Sequence, residues 1–325
     1  MVELLLELQM EIFELSALSC PVAIPKFMLV AWWVNKWVER FLYRTIVFAE
    51  PIKPYRAFRP EILLRAIRSK PASFFRDSVR NLNFSADFDI SEEDAKDIIS
   101  ACSGVVNLHL AHRQILSNSF MDVLPPVKRL YVAMEKLFHP SAVDFTHSSF
   151  SQLTHLEVRD WLSPENANQW AKLAALPELT HLSFSDCRQI FPVFRRILDT
   201  SKSLQIFVLL TSGHHLDIYR ASRHGEEKLL TQDPRFVVMA SIYYQWDWQM
   251  GVHSGQDYWA RAERFVAERR TGLVHEWFMG TVEIFNRNST EGLLHFLEPY
   301  SDSYKRDIPG SPRARGICGG VFKMV

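Results

Sequence analysis

The 325-residue sequence is poor in the residues that build disulfide frameworks and cysteine-based zinc sites. Its four cysteines lie far apart and form no C-x-x-C pair. This spacing argues against both kinds of structure and fits a reducing compartment. The cysteines are Cys20, Cys102, Cys187 and Cys318.

The chain also lacks an excess of charge of either sign, because 37 Lys and Arg residues balance 37 Asp and Glu residues. A balanced chain has no broad basic surface, so we expect no nucleic-acid partner. The most apolar stretch, Ile24–Val34, contains Lys26 and is too short to cross a bilayer. Acidic residues stand where a secretory signal would be basic. We therefore expect an intracellular protein, cytoplasmic or nuclear, with no membrane partner.

Common catalytic and cofactor motifs are also missing: the sequence has no G-x-G-x-x-G, P-loop, H-E-x-x-H or nucleophile-elbow pattern. We therefore predict that the protein is not an enzyme and uses no cofactor. A distant alternative places an active site in residues 211–260, which include His214, His215 and an Asp/Trp-rich stretch. The simpler interpretation is a solvated loop followed by a buried capping segment.

A short phrase, apolar-x-x-apolar-x-apolar, occurs six times, and successive copies start 26, 22, 26, 26 and 25 residues apart. The copies are Val79–Phe84, Val105–Leu110, Val127–Val132, Leu153–Val158, Leu179–Phe184 and Leu204–Leu209. This is the period of a leucine-rich repeat, and the alternation within each copy is that of a half-buried strand. The pattern predicts an α/β fold, in which residues 79–240 form a leucine-rich-repeat solenoid with a curved parallel sheet and convex-side helices. Pro234–Met239 is a candidate seventh strand.

The alternate positions of these strands face away from the core and should form two columns on the concave face. One column is Asn83, His109, Tyr131, Glu157, Ser183 and Val208, and the other is Asn107, Arg129, His155, His181 and Ile206. The predicted substrate-binding residues are Asn107, His109, Arg129, Tyr131, His155, Glu157, His181 and Ser183. A plain solvated sheet face would look similar. A metal at His155 and His181 would need a third ligand, for which Glu157 is the only nearby candidate, so we expect no metal site.

The sequence after the repeats predicts a capping segment, residues 241–275, that closes the open end of the stack. Within it, residues 254–270 form a predicted helix with Ser254 as a candidate N-cap. Its apolar face is Tyr258, Trp259, Ala262, Phe265 and Val266. Residues 276–325 are poorly patterned, and we expect them to form a partly disordered tail.

The first 48 residues predict a small helical head, with helices at 2–17 and about 26–41 and a strand at 43–48. Residues 49–78 then form a connecting segment with a helix at 59–69. The head contains Leu4-Leu5-Leu6-Glu7-Leu8, Ile12-Phe13, Leu29-Val30, and Trp33 or Trp37 in its second helix. These motifs resemble an F-box, with Leu5 in the place of the family's proline. Together with the repeats, they are similar to F-box/leucine-rich-repeat proteins common in mushroom-forming fungi.

The resemblance implies a substrate-recognition subunit of a cullin-based ubiquitin ligase. The head would bind the Skp adaptor of the cullin complex, and the repeats would hold a protein substrate. The implied adaptor-binding residues are Leu4, Leu5, Leu8, Ile12, Phe13, Leu29, Trp33 and Trp37. The alternative is a leucine-rich-repeat scaffold without a ligase role, whose N-terminus only caps the solenoid and whose tryptophans belong to the core.

Overall fold

The computed structural model describes residues 4–49, 58–86, 88–111, 116–160, 167–185, 191–211, 226–240, 244–274 and 278–279. These residues form an α/β structure on one parallel sheet of nine strands. The loop with His214 and His215 lies outside the described residues, as does the predicted tail apart from residues 278–279. Among the described helices, none is both long enough and apolar enough to cross a membrane.

Strands and helices alternate along most of the chain. The strands are β1 (Thr45–Phe48), β2 (Asn81–Phe84), β3 (Asn107–Leu110), β4 (Arg129–Val132), β5 (His155–Val158), β6 (His181–Ser185), β7 (Ile206–Thr211), β8 (Phe236–Ala240) and β9 (Phe278–Met279). The helices are α1 (Leu6–Ser19), α2 (Ile24–Phe27), α3 (Trp32–Leu42), α4 (Pro60–Ser69), α5 (Ala72–Ser78), α6 (Glu92–Ala101), α7 (Met134–Phe138), α8 (Ala167–Trp170), α9 (Phe191–Thr200), α10 (Glu226–Gln232), α11 (Tyr244–Ser254) and α12 (Tyr258–Arg270). Short 3₁₀ helices lie at Pro21–Ala23, Asn118–Phe120, Ser148–Phe150 and Ala171–Ala175.

Each strand pairs in parallel with the next strand along the chain, so the sheet order is the sequence order from β1 to β9. The middle apolar residue of each repeated phrase is in register with that of the next copy: Leu82, Leu108, Leu130, Leu156, Leu182 and Phe207. The six predicted strands and the seventh candidate are therefore confirmed. The strand that the sequence assigned to the head, β1, pairs with β2 and so belongs to the sheet.

The two faces of the sheet differ because side chains alternate along each strand. The face that carries Leu82, Leu108 and their equivalents is called the core face, and the opposite one the outer face. The core face packs against the helices that connect the strands, and Leu63, Ile98 and Phe194 are fully buried examples. Burial of apolar surface on this side is the main stabilising contribution to the fold.

The predicted connecting helices follow local sequence signals. Helix α6 begins after Ser91, whose side chain accepts a hydrogen bond from the Asp94 amide at 3.1 Å. Acidic residues fill its first turn, where they complement the helix dipole. Helix α9 likewise connects β6 to β7, whereas the connection from β5 to β6 contains the short helix α8 and a 3₁₀ helix.

The head, residues 4–42 with α1, α2 and α3, has a small core of its own formed by Ala17, Ile24, Val34 and Val38. The second predicted helix is interrupted, because the backbone is extended at Ala31, immediately before α3. The interruption leaves Leu29 and its neighbour on the surface of the head.

The segment expected to close the end of the stack forms two helices, α11 and α12, here called the cover helices. They lie across the outer face, where α12 packs on β7 and β8. Ser254 is not the N-cap that the sequence suggested: it belongs to the last turn of α11, and its hydroxyl donates to the Met250 carbonyl. Asp257 caps α12 instead, accepting from the Ala260 amide at 2.9 Å.

Candidate functional site

The head exposes many large apolar side chains. Of the eight residues predicted to bind an adaptor, six are exposed: Leu4, Leu5, Leu8, Ile12, Leu29 and Trp33. Leu29 is 86% exposed and Leu5 is 68% exposed. Sequence analysis omitted Leu6, Val30 and Trp32 from the predicted set, although they are also exposed and adjoin these residues in the chain.

The other two predicted residues, Phe13 and Trp37, are half-buried and pack against the core of the head. The Phe13 and Phe27 rings meet edge to face with centroids 6.0 Å apart. Trp33 and Trp37, one turn apart on α3, therefore have different roles: Trp33 faces outward, and Trp37 supports the three helices.

Helix α1 buries few of its side chains against the rest of the chain. Ala17 is its only buried residue among fourteen. An isolated helix of this length is marginal in water, and helices in proteins are stabilised mainly by packing. Large exposed apolar patches usually mark interaction sites. The exposed leucines and tryptophans of the head are therefore the candidate docking residues.

The outer face shows the opposite arrangement, with polar side chains that are buried. The strand register confirms the two predicted columns. Asn83, His109, Glu157, His181 and Ser183 are all at most 6% exposed. The predicted substrate-binding residues do meet in space, but beneath the cover helices.

Polar contacts join the middle of the outer face to the cover helices. Arg129 forms an ion pair with Asp257 at 2.8 Å, and the Trp248 indole donates to Asn107 at 3.2 Å. The Tyr258 hydroxyl donates to Glu157 at 2.8 Å and lies 3.2 Å from the Ser183 hydroxyl. The sequence did not indicate these residues of the cover helices as partners of the strands, because 75 to 141 residues separate the two sides of each contact.

Beyond the polar middle, the contact becomes apolar. The outer residues of β7 and β8 pack against the predicted apolar face of α12. The cluster contains Ile206, Val208, Leu210, Val237 and Met239 from the strands and Tyr258, Trp259, Ala262, Phe265 and Val266 from α12. The apolar face of α12 is therefore confirmed, and this second core fastens the cover helices to the sheet.

The space left between the outer face and the cover helices is a cavity of about 40 Å³. Its lining includes Asn107, His109, Arg129, Trp248 and Asp257. A cavity of this size holds about one water molecule rather than a peptide side chain. With the cover helices in place, most of the predicted substrate-binding residues are therefore closed to a protein partner, whereas the Arg129 side chain stays 39% exposed.

Burial keeps the outer-face histidines neutral. Desolvation is the largest cause in each case, and it lowers the pKa of His109 to about 3, that of His155 to about 2 and that of His181 to about 4. Nearby arginines add to the effect: Arg159 at His109, and Arg129 at the other two. Each of the three neutral imidazoles therefore has one unprotonated ring nitrogen at neutral pH.

A wider cleft of about 510 Å³ separates the head from the first strand of the sheet. Apolar side chains of the head, such as Leu18 and Val22, line one side of it, and Val47 and Phe58 line another. Gln249 of α11 also reaches this cleft, so the head, the sheet and a cover helix meet around one opening.

Three acidic residues of the segment 211–260 pair with arginines. Asp233 binds Arg235, Asp247 binds Arg261, and Asp257 binds Arg129. Burial raises the pKa of Asp247 despite its arginine partner. These pairs hold loops and helices together, and His214 and His215 of the enzyme alternative lie outside the described residues.

No protein-family model matches the chain, and no curated protein matches it. The functional argument therefore depends on the exposed head, the repeated strands and the covered outer face.

Proposed function

We propose that the chain is a substrate-recognition subunit of a cullin-based ubiquitin ligase. The head serves as an F-box-like module that binds the Skp adaptor, and the sheet serves as the body of a leucine-rich-repeat solenoid. The observation that carries the proposal is the exposure of Leu5, Leu8, Ile12, Leu29 and Trp33 on a head whose remaining residues form a separate core. These are residues that the F-box resemblance implies for adaptor binding.

The solenoid part of the proposal is supported by the sheet. Its strands follow one another in sequence order, and the repeated phrase recurs at intervals of 22 to 26 residues. Parallel strands joined by short helices in this order are typical of leucine-rich repeats. The body would hold an intracellular protein substrate near the ubiquitin-charged enzyme. The gain in rate would come from effective concentration and orientation, with no bond-breaking step on this chain.

The cover helices block the predicted substrate-binding columns of the outer face. A protein substrate reaches Glu157 or Ser183 only after α11 and α12 have left the outer face, because Tyr258 now occupies both. Removal of residues 244–274 should therefore increase binding of a substrate that uses the predicted columns. A substrate whose binding is lost on this truncation instead contacts the cover helices themselves.

The alternative, a scaffold whose N-terminus caps the sheet, also has an observation in its favour. Strand β1 follows α3 almost directly and pairs with β2, and Glu39 of the head binds Lys70 at 2.6 Å. Capping alone would not explain why the head exposes Leu5, Leu29 and Trp33 to solvent. The two functions differ in one respect that can be tested: the exposed leucines bind the Skp adaptor in the ligase subunit and do not bind it in the scaffold.

Co-expression with the Skp adaptor tests the proposal. The double variant Leu8→Asp/Ile12→Asp should fold normally, because both side chains are exposed, and should lose adaptor binding by about 100-fold or more. The matched control is Leu273→Asp, which changes a 77% exposed leucine outside the head. Absence of a stable complex with the intact chain would exclude the ligase role and leave the scaffold.

A further inference from the structure

Two histidines on neighbouring strands of the outer face lie next to a carboxylate of α12. His155 and His181 are in register on β5 and β6, and their rings stack with centroids 4.0 Å apart. Glu263 places its Oε1 atom 3.0 Å from Nε2 of His181. One ligand atom from each of the three residues lies within 4.8 Å of the other two.

Threonine hydroxyls lie beside the other ring nitrogen of each histidine. The Thr154 hydroxyl oxygen is 2.9 Å from Nδ1 of His155 and 2.9 Å from the Lys128 carbonyl oxygen. The Thr180 hydroxyl oxygen is 2.8 Å from Nδ1 of His181 and 3.2 Å from the Thr154 carbonyl oxygen. Each hydroxyl thereby holds Nδ1 of its histidine, as outer-shell partners of metal-binding histidines do, and leaves Nε2 for another partner.

One of the two Nε2 atoms has no partner. Nε2 of His155 is buried and has no hydrogen-bond partner among the described residues. Nε2 of His181 lies 3.0 Å from the Glu263 carboxylate, to which it can donate a hydrogen bond. An ion bound to both nitrogens and to the carboxylate would give His155 the partner that it lacks.

We propose that His155, His181 and Glu263 form a binding site for a divalent transition-metal ion of the zinc class, which links α12 to β5 and β6. Two neutral imidazoles and one carboxylate are ligands that zinc accepts, and a water molecule can complete the tetrahedron. The Glu263 side chain is 53% exposed, which gives the ion a path from solvent. The site does not depend on the proposed role of the head.

The geometry requires the two imidazole rings to turn. The rings stack with their planes 7° apart, so their Nε2 lone pairs lie in nearly parallel planes and converge on one ion only after the rings turn. Ligand atoms on a tetrahedral zinc ion are about 3.3 Å apart, which the His181–Glu263 pair already approaches. Trp259 lies edge-on against both rings, with centroids 5.4 and 5.6 Å away.

The charges near the site also allow a cation. Arg129 contributes a positive charge, but its ion pair with Asp257 at 2.8 Å offsets it, which leaves the Glu263 carboxylate as the excess charge. Glu157, the third ligand considered from sequence, is already hydrogen-bonded to Tyr258. The carboxylate that completes the set comes instead from α12, 82 residues after His181.

Titration with Co²⁺ tests the site, because tetrahedral coordination by nitrogen and oxygen gives the ion visible d–d absorption. The full-length chain is stripped with a chelator, titrated with Co²⁺, and then competed with Zn²⁺. We expect one equivalent to bind and Zn²⁺ to displace it. Glu263→Gln should weaken binding at least tenfold, and His181→Gln should abolish it. Thr154→Val, which removes the hydroxyl that holds Nδ1 of His155, should weaken it about 10- to 100-fold.

Two controls separate this site from adventitious binding. Glu268→Gln changes another glutamate of α12, and His139→Gln removes an exposed histidine elsewhere, so both should bind Co²⁺ as the unmodified chain does. Because Glu263 is half-exposed, its variant keeps the test informative even if His181→Gln fails to fold. Absence of Co²⁺ binding, or equal binding by Glu263→Gln and the unmodified chain, would overturn the proposal. The first result would leave an ordinary His181–Glu263 hydrogen bond.

Discussion

The head and the outer face of the sheet differ in which kind of side chain they expose to solvent and which they bury. The head exposes leucines and tryptophans and keeps a core centred on four residues. The outer face buries asparagine, histidine, glutamate and serine under helices of the same chain. The first surface leaves apolar side chains in solvent, whereas helices of the same chain cover the polar side chains of the second. The two surfaces therefore reverse the usual arrangement of exposed polar and buried apolar residues.

The largest expected effect comes from the apolar half of the covered face. Phe265→Ala removes a buried ring from the cluster that fastens α12 to β7 and β8, and it should cost about 3 to 5 kcal/mol. Hydrogen exchange should show lost protection across α12 while β3 to β5 remain protected. The exposed neighbour Arg264→Ala is the control, and equal exchange in both variants would contradict the role of this cluster.

The two tryptophans of α3 provide a matched pair within the head. Trp37→Ala should destabilise the head by about 2 to 3 kcal/mol, because the ring packs on the head core. Trp33→Ala should change stability by less than about 1 kcal/mol, since that side chain is 42% exposed. Chemical denaturation measures both changes. In the adaptor assay, Trp33→Ala should bind less well than the unmodified chain, and unimpaired binding would place this residue outside the docking surface.

A smaller effect is expected where the outer face is polar. Tyr258→Phe removes the hydroxyl that contacts Glu157 and Ser183 while keeping the ring in place. Loss of a buried hydrogen bond to a charged group should cost about 1.5 to 3 kcal/mol. Thermal unfolding with the exposed variant Arg264→Ala alongside measures it, and an unchanged melting temperature would mean that these polar contacts are not needed for closure.

The smallest expected effect is the contribution of His109 to the loss of stability at low pH. The pKa of His109 is about 3 in the folded chain, below its ordinary value of 6.5, because the ring is buried. The unfolded state therefore binds more protons between these values, and stability falls as the pH drops below about 6.5. One such histidine contributes a slope of at most about 1.4 kcal/mol per pH unit. Denaturation of His109→Phe at about pH 7 and pH 5 should show a smaller acid loss than the unmodified chain. An identical loss would assign it to other groups.

The strands of the sheet were largely predictable because each one is indicated by a pattern of consecutive residues. The alternation at Leu108 and Leu110 identifies a buried strand face from six consecutive residues, and the near-constant spacing sets the order of neighbours. The same alternation predicted which side chains would share the outer face. Predicting strands and columns needed no knowledge of what lies opposite them.

The cover helices were harder to anticipate because their contacts depend on distant residues. The pairing of Trp248 with Asn107 spans 141 residues, and nothing near either residue indicates it. Helix α11 buries Gln249 and leaves no clear apolar stripe, so its presence and the end at Ser254 went unpredicted. The third candidate metal ligand, Glu263, was missed for the same reason.

The long sequence separation of these contacts affects the order of folding. Neighbouring strands lie a few tens of residues apart, so they can pair progressively as the chain leaves the ribosome. Helix α12 is the last of the described helices to emerge, and until then Ile206, Val208, Leu210, Val237 and Met239 have no cover. A chain that stops before Tyr258 would keep this apolar strip exposed and would be prone to self-association. A new molecule is therefore exposed to self-association through β7 and β8 until α12 has been synthesised.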